Sequence, residues 1–181
     1  MEKKKLLLHS CCGPCSTSVI EKLQNEYDLT IFYYNPNIYP EEEYIKRLTE
    51  QKKYIELTHK NIKVIDGEYL DNEIFMQAYK GLEDCPEGGN RCKTCIYLRL
   101  KKTAEFAKQN NYDIFASTLS VSPHKNAKFI NELGIELSKE NNIEYLISDF
   151  KKQDGYLNSI KLSKQYNLYR QNYCGCKYSI Y

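Results

Sequence analysis

Seven of the eight cysteines fall into three short groups, and these groups carry the most specific chemistry in the chain. They are Cys11-Cys12-Gly13-Pro14-Cys15, Cys92-Lys93-Thr94-Cys95 and Cys174-Gly175-Cys176, whereas Cys85 stands alone. If the fold gathers the three segments, their sulfurs form a pocket with several thiolates. Such a pocket binds zinc, cycles disulfides or holds iron.

The first group has the spacing of a thioredoxin-type redox motif, because Cys12 and Cys15 enclose two residues. A dithiol oxidoreductase needs one attacking and one resolving cysteine, so this interpretation leaves the other five grouped cysteines without a role. The motif also follows the first predicted strand immediately, earlier than in a thioredoxin fold. A thioredoxin-like dithiol oxidoreductase is therefore an alternative that explains little of the pattern.

Metal binding explains more of the cysteines than disulfide chemistry does. A structural zinc ion takes four ligands, which the C-x-x-C pairs of the first two groups can supply, but the third group then has no role. A [4Fe–4S] cluster also takes four thiolates, commonly from several segments, and seven sulfurs leave enough for a further metal beside it. Gly175 permits the third group to curl around one metal. The pattern favours iron, with a zinc-stabilised RNA-binding module as the alternative.

The composition indicates a globular protein in which residues 1–181 form a single domain. The chain is 41% hydrophobic and 28% charged, and its 181 residues suffice for an ordinary core. The apolar run Leu6-Leu7-Leu8 is too short for a signal peptide, and no segment is as apolar as a membrane-spanning helix. We therefore expect a cytoplasmic protein with no membrane contact, whose reduced cysteines bind metal or react.

The charge distribution is more informative than the net charge of +2. Between Lys151 and Tyr181, six basic residues are interspersed with six tyrosines, and Asp154 is the one acidic residue. Basic side chains interleaved with aromatic rings suit contacts with phosphates and stacking on bases. The same composition also fits an ordinary solvated surface, so it leaves RNA binding open.

The elements that must position the cysteines alternate between strands and helices. Strands are predicted over residues 5–9, 29–34, 62–65, 113–117 and 144–148, and helices over 16–24, from 41, over 70–79, from 92 and after 126. This order predicts an α/β fold with an open, mostly parallel sheet of about five strands and helices on both faces. The first cysteine group then follows a strand at the sheet edge where ligands bind, and Cys92 and Cys95 begin a helix, whose dipole favours thiolates.

Five segments in a fixed order form a further pattern. They are residues 7–16 (LLHSCCGPCS), 33–38 (YYNPNI), 89–95 (GNRCKTC), 118–126 (TLSVSPHKN) and 169–176 (YRQNYCGC). Together they resemble the QueH-type epoxyqueuosine reductases, over nearly the whole chain. The resemblance implies a nucleotide-hydrolase-like α/β fold of the HUP or Rossmann-like type. It also implies cobalamin-independent, two-electron reduction of the epoxide of epoxyqueuosine in the anticodon loop of tRNA, with an external electron donor.

The resemblance further implies a [4Fe–4S] cluster beside a single iron ion. Carried over position by position, the metal ligands are Cys11, Cys12, Cys92 and Cys95 for the cluster, and Cys174 and Cys176 for the lone iron, with Cys15 as its nearest further candidate. The three residues around the lone iron would be catalytic, because a metal with an open position can act as a Lewis acid on the epoxide oxygen. Cys85 is not expected to bind metal, since it has no neighbouring cysteine in the sequence.

Two histidines lie close to the predicted site. His9 ends the first strand and is expected to pack or form hydrogen bonds there. His124 follows Pro123 in a loop at the same sheet edge, and is a candidate catalytic proton donor or substrate contact.

Three residues are candidates for substrate binding. Lys125 and Arg170 can pair with phosphate or with substrate hydroxyls, and an arginine can bind phosphate in a bidentate manner. Tyr173 can stack on a base of the anticodon loop, and Tyr33 or Tyr34 are alternatives for the same role.

Overall fold

The computed structural model describes residues 2–179, which form one parallel sheet flanked by helices. The strands are β1 (Lys5–His9), β2 (Asp28–Tyr33), β3 (Lys63–Asp66), β4 (Ile114–Ser117) and β5 (Glu144–Tyr145). The helices in this part of the chain are α1 (Gly13–Leu23), α2 (Glu41–Thr58), α3 (Asn72–Ala78), α4 (Asn90–Gln109), α5 (Ala127–Asn141) and α6 (Gly155–Gln165). The predicted α/β class is confirmed.

The sheet has the strand order β3-β2-β1-β4-β5. The chain builds outward from β1 to β3, and then returns to the centre to add β4 and β5 on the other side. This is the order of a doubly wound, Rossmann-like sheet, and the point where the direction reverses lies between β1 and β4. A crevice opens at the carboxyl ends of the strands at such a reversal, so ligands bind there.

Both faces of the sheet are covered, as the continuous apolar run in β1 predicts. Leu6, Leu7 and Leu8 are fully buried. Leu7 packs into a core with α4 and α5, whereas Leu6 and Leu8 pack into a second core with α1 and α2. Successive side chains of a strand point to opposite faces, and the two cores follow from that alternation.

Two boundaries differ from the sequence prediction for a reason that the contacts show. Helix α1 begins at Gly13 rather than at Ser16, because Cys12 caps it: the Cys12 sulfur accepts a hydrogen bond from the Cys15 amide at 3.4 Å. Strand β5 ends at Tyr145 rather than at Ser148. The Asn131 side chain bonds both the amide and the carbonyl of Ser148 and so draws the backbone away from β4.

Helix α6 was not predicted, because it lacks a stripe of large apolar residues. Its buried face consists of Gly155, Ser159 and Ser163, which recur every four residues and pack against α1. The hydroxyl of Ser159 donates to the Tyr156 carbonyl and that of Ser163 to the Ser159 carbonyl. Because these hydroxyls are satisfied within the helix, small polar residues can form a contact face that hydrophobic periodicity does not reveal.

Within residues 2–179, no helix combines the length and the apolar composition that crossing a membrane requires.

Candidate metal centre at the carboxyl end of the sheet

The first cysteine group lies in the crevice between β1 and β4. Its backbone is tied to both neighbouring strands, since the Ser10 amide donates to the Phe32 carbonyl at 3.0 Å and the Cys11 amide to the Thr118 hydroxyl at 3.2 Å. The parallel strands therefore position these cysteines at the cleft that the strand order creates.

His9, the last residue of β1, connects three strands below this group. A carbonyl can only accept a hydrogen bond, so the contact of Nε2 with the Tyr34 carbonyl at 2.9 Å places the ring hydrogen on Nε2. Nδ1 then accepts from the Ser117 hydroxyl at 3.0 Å. Burial, with the charge of Arg99, lowers the pKa of His9 to about 4, so the ring is neutral at physiological pH. As predicted, His9 forms hydrogen bonds near the site.

The three sulfurs of the first group lie close enough to bind one metal centre. The sulfur atoms of Cys11, Cys12 and Cys15 all lie within 4.8 Å of one another. The thiols of Cys12 and Cys15 form hydrogen bonds with the Cys11 sulfur, and these bonds hold the pKa of Cys11 well below its usual value. The same bonds, together with burial, raise the pKa of Cys12 and of Cys15. Without metal, the group therefore carries its first negative charge on Cys11.

The second group lies in the first two turns of α4, with Cys92 in the first turn and Cys95 in the second. Cys95 is buried and Cys92 is half-buried, and the Gly88 amide donates to the Cys92 sulfur at 3.2 Å. Free amides and the positive end of the helix dipole favour a thiolate at Cys92.

The third group is held by α2 and by the loop after β2. The Tyr39 amide donates to the Gly175 carbonyl at 2.8 Å, and Ile38 forms an isolated antiparallel bridge with Cys176. Arg47 donates from Nη1 to the Cys174 carbonyl at 3.1 Å and from Nη2 to the Tyr173 carbonyl at 3.0 Å. This segment is therefore fixed by backbone contacts over its whole length.

We expect Gly175→Ala to displace the third cysteine group. Gly175 has a φ of +111°, and a Cβ there would lie 2.9 Å from the Ile38 side chain and 3.0 Å from Arg47 Nη1. Backbone strain of this kind costs about 1–3 kcal/mol, and the side-chain contacts add to it. The measurements are the urea midpoint and the metal content after reconstitution.

Gly81→Ala is the matched control, because Gly81 also has a positive φ but has no atom within 4 Å of the added Cβ. It should lose some stability and keep its bound metal. Equal metal loss in both variants would show that strain, not the displaced cysteines, is responsible.

The three groups meet in one cavity at this edge of the sheet. The cysteines that line it are Cys11, Cys15, Cys92, Cys95, Cys174 and Cys176. Cys12 lies directly beside them, through its contacts with Cys11 and Cys15. All seven grouped cysteines are thus brought together, whereas Cys85 is not among the residues that line the cavity.

Three buried arginines line the same cavity, and the sequence analysis did not identify them. Arg47, Arg91 and Arg99 are 2%, 3% and 4% exposed. Arg47 is paired with Glu43 at 2.8 Å, whereas Arg99 has no ion pair within residues 2–179 and donates from Nη1 to the Asn35 side-chain oxygen Oδ1 at 3.4 Å. A signal was present in the sequence, because Arg91, Cys95 and Arg99 recur every four residues and share one face of α4.

Arg99 is a fixed positive charge among the cysteines. Burial by itself lowers the pKa of Arg99, but the nearby thiolates of Cys95 and Cys11 raise it, and the net pKa lies above the usual value. A buried charge is costly unless it is compensated. The cavity therefore suits an anionic group, and metal bound by several thiolates is such a group.

The predicted substrate contacts lie in different places. Lys125 lines the cavity, whereas His124 is exposed and its backbone amide bonds the Ser122 hydroxyl at 3.2 Å. Arg170 is exposed and reaches Ser163 of α6 at 3.4 Å, and it does not line the cavity.

The tyrosines also differ in accessibility. The hydroxyl of Tyr173 donates to the Tyr39 carbonyl at 2.6 Å, and its ring lies 5.0 Å from the Arg47 guanidinium. Tyr33 and Tyr34 are only 0% and 3% exposed, so neither ring has a face that a base can reach. Tyr39, which the sequence analysis did not consider, is 47% exposed beside the third cysteine group.

Known proteins share this pattern over nearly the whole chain. A family model described as "Epoxyqueuosine reductase QueH" matches residues 6–181. Three similar proteins carry that same name. The one from Staphylococcus epidermidis is 43% identical over 98% of this chain and 77% of its own length. Those from Streptococcus pyogenes and Thermotoga maritima are 40% and 36% identical, over 98% and 97% of this chain and 71% and 90% of their own lengths.

Proposed function

The chain belongs to the epoxyqueuosine reductase QueH family, a family of oxidoreductases that act on tRNA, and we propose that its cysteine cavity holds a [4Fe–4S] cluster beside a single iron ion. The observation that carries this proposal is the convergence of three cysteine groups with the buried Arg91 and Arg99 on one cavity. A structural zinc site would use four of these sulfurs, would leave the others without a role and would not account for the buried charge of Arg99.

The surroundings of the cysteines support a division between the two centres. We assign Cys11, Cys12, Cys92 and Cys95 to the cluster, because the cysteines of α4 share their helix face with Arg91 and Arg99, whose charges suit an anionic centre. Cys174 and Cys176 then hold the single iron, and Cys15 is its nearest further candidate ligand. The Cys15 sulfur lies within 4.8 Å of the sulfurs of Cys11 and Cys12. When bound, the cluster supplies single electrons and the iron supplies a Lewis acid.

The reaction removes the epoxide oxygen as water. Both carbon–oxygen bonds break, a carbon–carbon double bond forms, and two electrons from an external donor and two protons are consumed. Lys125 lines the cavity. His124 precedes Lys125 in the same loop and is exposed. We assign proton delivery to His124 and contact with substrate phosphate or hydroxyl groups to Lys125.

The tRNA approaches from the exposed side of the cavity. Tyr173 lies next to Cys174 and is the candidate for stacking on a base there. Arg170 follows α6 and does not line the cavity, so a phosphate of the anticodon stem can reach it without entering the cavity.

A count of metal and sulfide on protein purified without air tests the cofactor assignment. We expect about five iron atoms and about four sulfide ions per chain, with brown colour and broad absorption near 400 nm. A colourless protein with stoichiometric zinc would contradict the proposal. Free thiols that reduce disulfides, without iron, would instead indicate a dithiol oxidoreductase.

Cys174→Ala separates the roles of the two centres. Because Cys174 is assigned to the single iron and not to the cluster, we expect this variant to keep the cluster absorption. It should lose about one iron atom per chain and its reductase activity. Turnover of epoxyqueuosine in tRNA and iron content are the measurements. Full activity with full iron content would rule out Cys174 as a ligand of the catalytic iron.

A further inference from the structure

Buried polar atoms without a hydrogen-bond partner are concentrated at the cysteine cavity. Within residues 2–179, the side-chain atoms of this kind are Ser18 Oγ, Asn37 Oδ1, Tyr79 OH, Arg91 Nε, Arg99 Nε and Gln171 Oε1. All except Ser18 belong to residues that line the cavity. Leaving such an atom unpaired costs about 1–3 kcal/mol, so their convergence indicates that the cavity receives a polar ligand.

These atoms divide into donors and acceptors, on different sides of the cavity. The donors are the N–H groups of Arg91 and Arg99 and the hydroxyl of Tyr79, which lies beside Cys95. They belong to the side formed by α4, where hydrogen-bond donors stabilise the sulfurs of a metal–thiolate centre.

The acceptors lie beside the third cysteine group. Asn37 precedes Ile38, which bridges Cys176, and Gln171 lies three residues before Cys174 with its amide in contact with the Cys12 thiol. An amide oxygen is repelled by a thiolate or a sulfide, because both are electron-rich. The sulfurs of the metal centre therefore cannot satisfy these two oxygens, whereas a ligand with O–H or N–H groups can.

The Asn37 oxygen is held in place before any ligand arrives. Asn37 is 2% exposed, and the loop that carries it is fixed on both sides. The Asn35 side-chain Nδ2 donates to the Ser10 carbonyl at 2.8 Å, and the Asn72 side-chain Nδ2 donates to the Pro36 carbonyl at 2.7 Å. A rigid, buried acceptor of this kind discriminates strongly between ligands with and without a matching hydrogen-bond donor, since a ligand that lacks the donor leaves the acceptor unpaired.

We propose that Asn37 Oδ1 and Gln171 Oε1 accept hydrogen bonds from the ring that carries the epoxide and so determine the specificity of the site. This inference rests on the proposed function. The substrate ring of epoxyqueuosine carries hydroxyl groups next to the epoxide and is attached through a secondary amine, so it offers the required donors. Contact with both oxygens places the ring on the side of the cavity formed by Cys174 and Cys176.

The test compares the binding of two tRNAs to the iron-loaded enzyme. One tRNA carries epoxyqueuosine at the wobble position, and the other is identical but carries guanine there. We expect the wild-type enzyme to bind the first more tightly. Asn37→Ala and Gln171→Met should each reduce the ratio of the two affinities about tenfold, with unchanged affinity for the guanine tRNA.

Ser18→Ala is the matched control, because Ser18 Oγ is also buried without a partner within residues 2–179 but Ser18 does not line the cysteine cavity. It should keep the wild-type ratio. An unchanged ratio in the Asn37 and Gln171 variants, an equal decrease in Ser18→Ala, or loss of iron from the Asn37 variant would each overturn the inference. If the wild-type enzyme neither turns over epoxyqueuosine nor discriminates between the tRNAs, the proposed function itself fails.

Discussion

Cys95→Ala is expected to lose the proposed iron–sulfur centre and the reductase activity together, whereas Cys85→Ala keeps both. Cys95 is 7% exposed, lines the cavity and lies between Arg91 and Arg99 on one face of α4. A sulfur removed from this position leaves a ligand site of the cluster open, and the rigid helix cannot bring another cysteine there. We expect activity to fall below detection and the absorption near 400 nm to disappear.

Cys85 provides a control of the same residue type. Its carbonyl accepts a hydrogen bond from Arg91 Nη1 at 2.7 Å, but its thiol is not part of the cavity lining. Cys85→Ala leaves that backbone contact in place, so the iron and sulfide contents and the turnover rate should match those of the wild type. Full cluster content in Cys95→Ala, or loss of the cluster in Cys85→Ala, would show that the ligand assignment is wrong.

Arg99→Leu is expected to lower the reduction potential of the bound centre and to reduce activity by about 10–100-fold. Arg99 is 4% exposed, and its charge lies among cysteines from all three groups. A positive charge stabilises the more negative, reduced state of a cluster. Its removal therefore makes reduction less favourable and leaves the negative charge of the thiolates uncompensated in a buried site.

A redox titration followed in the visible spectrum measures this effect. Arg99→Lys should recover part of the potential, because it restores the charge without the planar guanidinium. Arg170→Leu removes an exposed arginine that follows α6, and the potential should not change. If Arg99→Leu has the wild-type potential and iron content, the buried charge has no electrostatic role at the centre.

The fold class follows from local patterns because the strands are buried on both faces. Leu6-Leu7-Leu8 and the β-branched and aromatic run of β2 have no competing interpretation as amphipathic helices, so the alternation of elements is readable. The errors occur where a tertiary contact decides the outcome. Strand β5 ends early because the Asn131 side chain forms hydrogen bonds with the backbone of Ser148, and α6 forms because its serines fit closely against α1.

The site divides in the same way. Cysteine spacing is a local property, since a C-x-x-C segment can direct two sulfurs to one metal whatever the remainder of the chain does. The roles of Arg99, Asn37 and Gln171 are not local. Arginine is usually exposed and asparagine is common in loops, so the burial that makes these residues informative arises only when distant segments pack together.

The sequence by itself therefore determined the α/β order and the inventory of sulfur ligands, because both depend on residues close together in the chain. Tertiary structure alone decided that the three cysteine groups share one cavity, that Tyr33 and Tyr34 are inaccessible and that Arg99 is buried among thiols. The physical reason is long-range packing. The return of the chain from β3 to the centre of the sheet places α4 and the C-terminal segment over the carboxyl end of β1, and the hydrogen bonds from Arg47 hold the third cysteine group there.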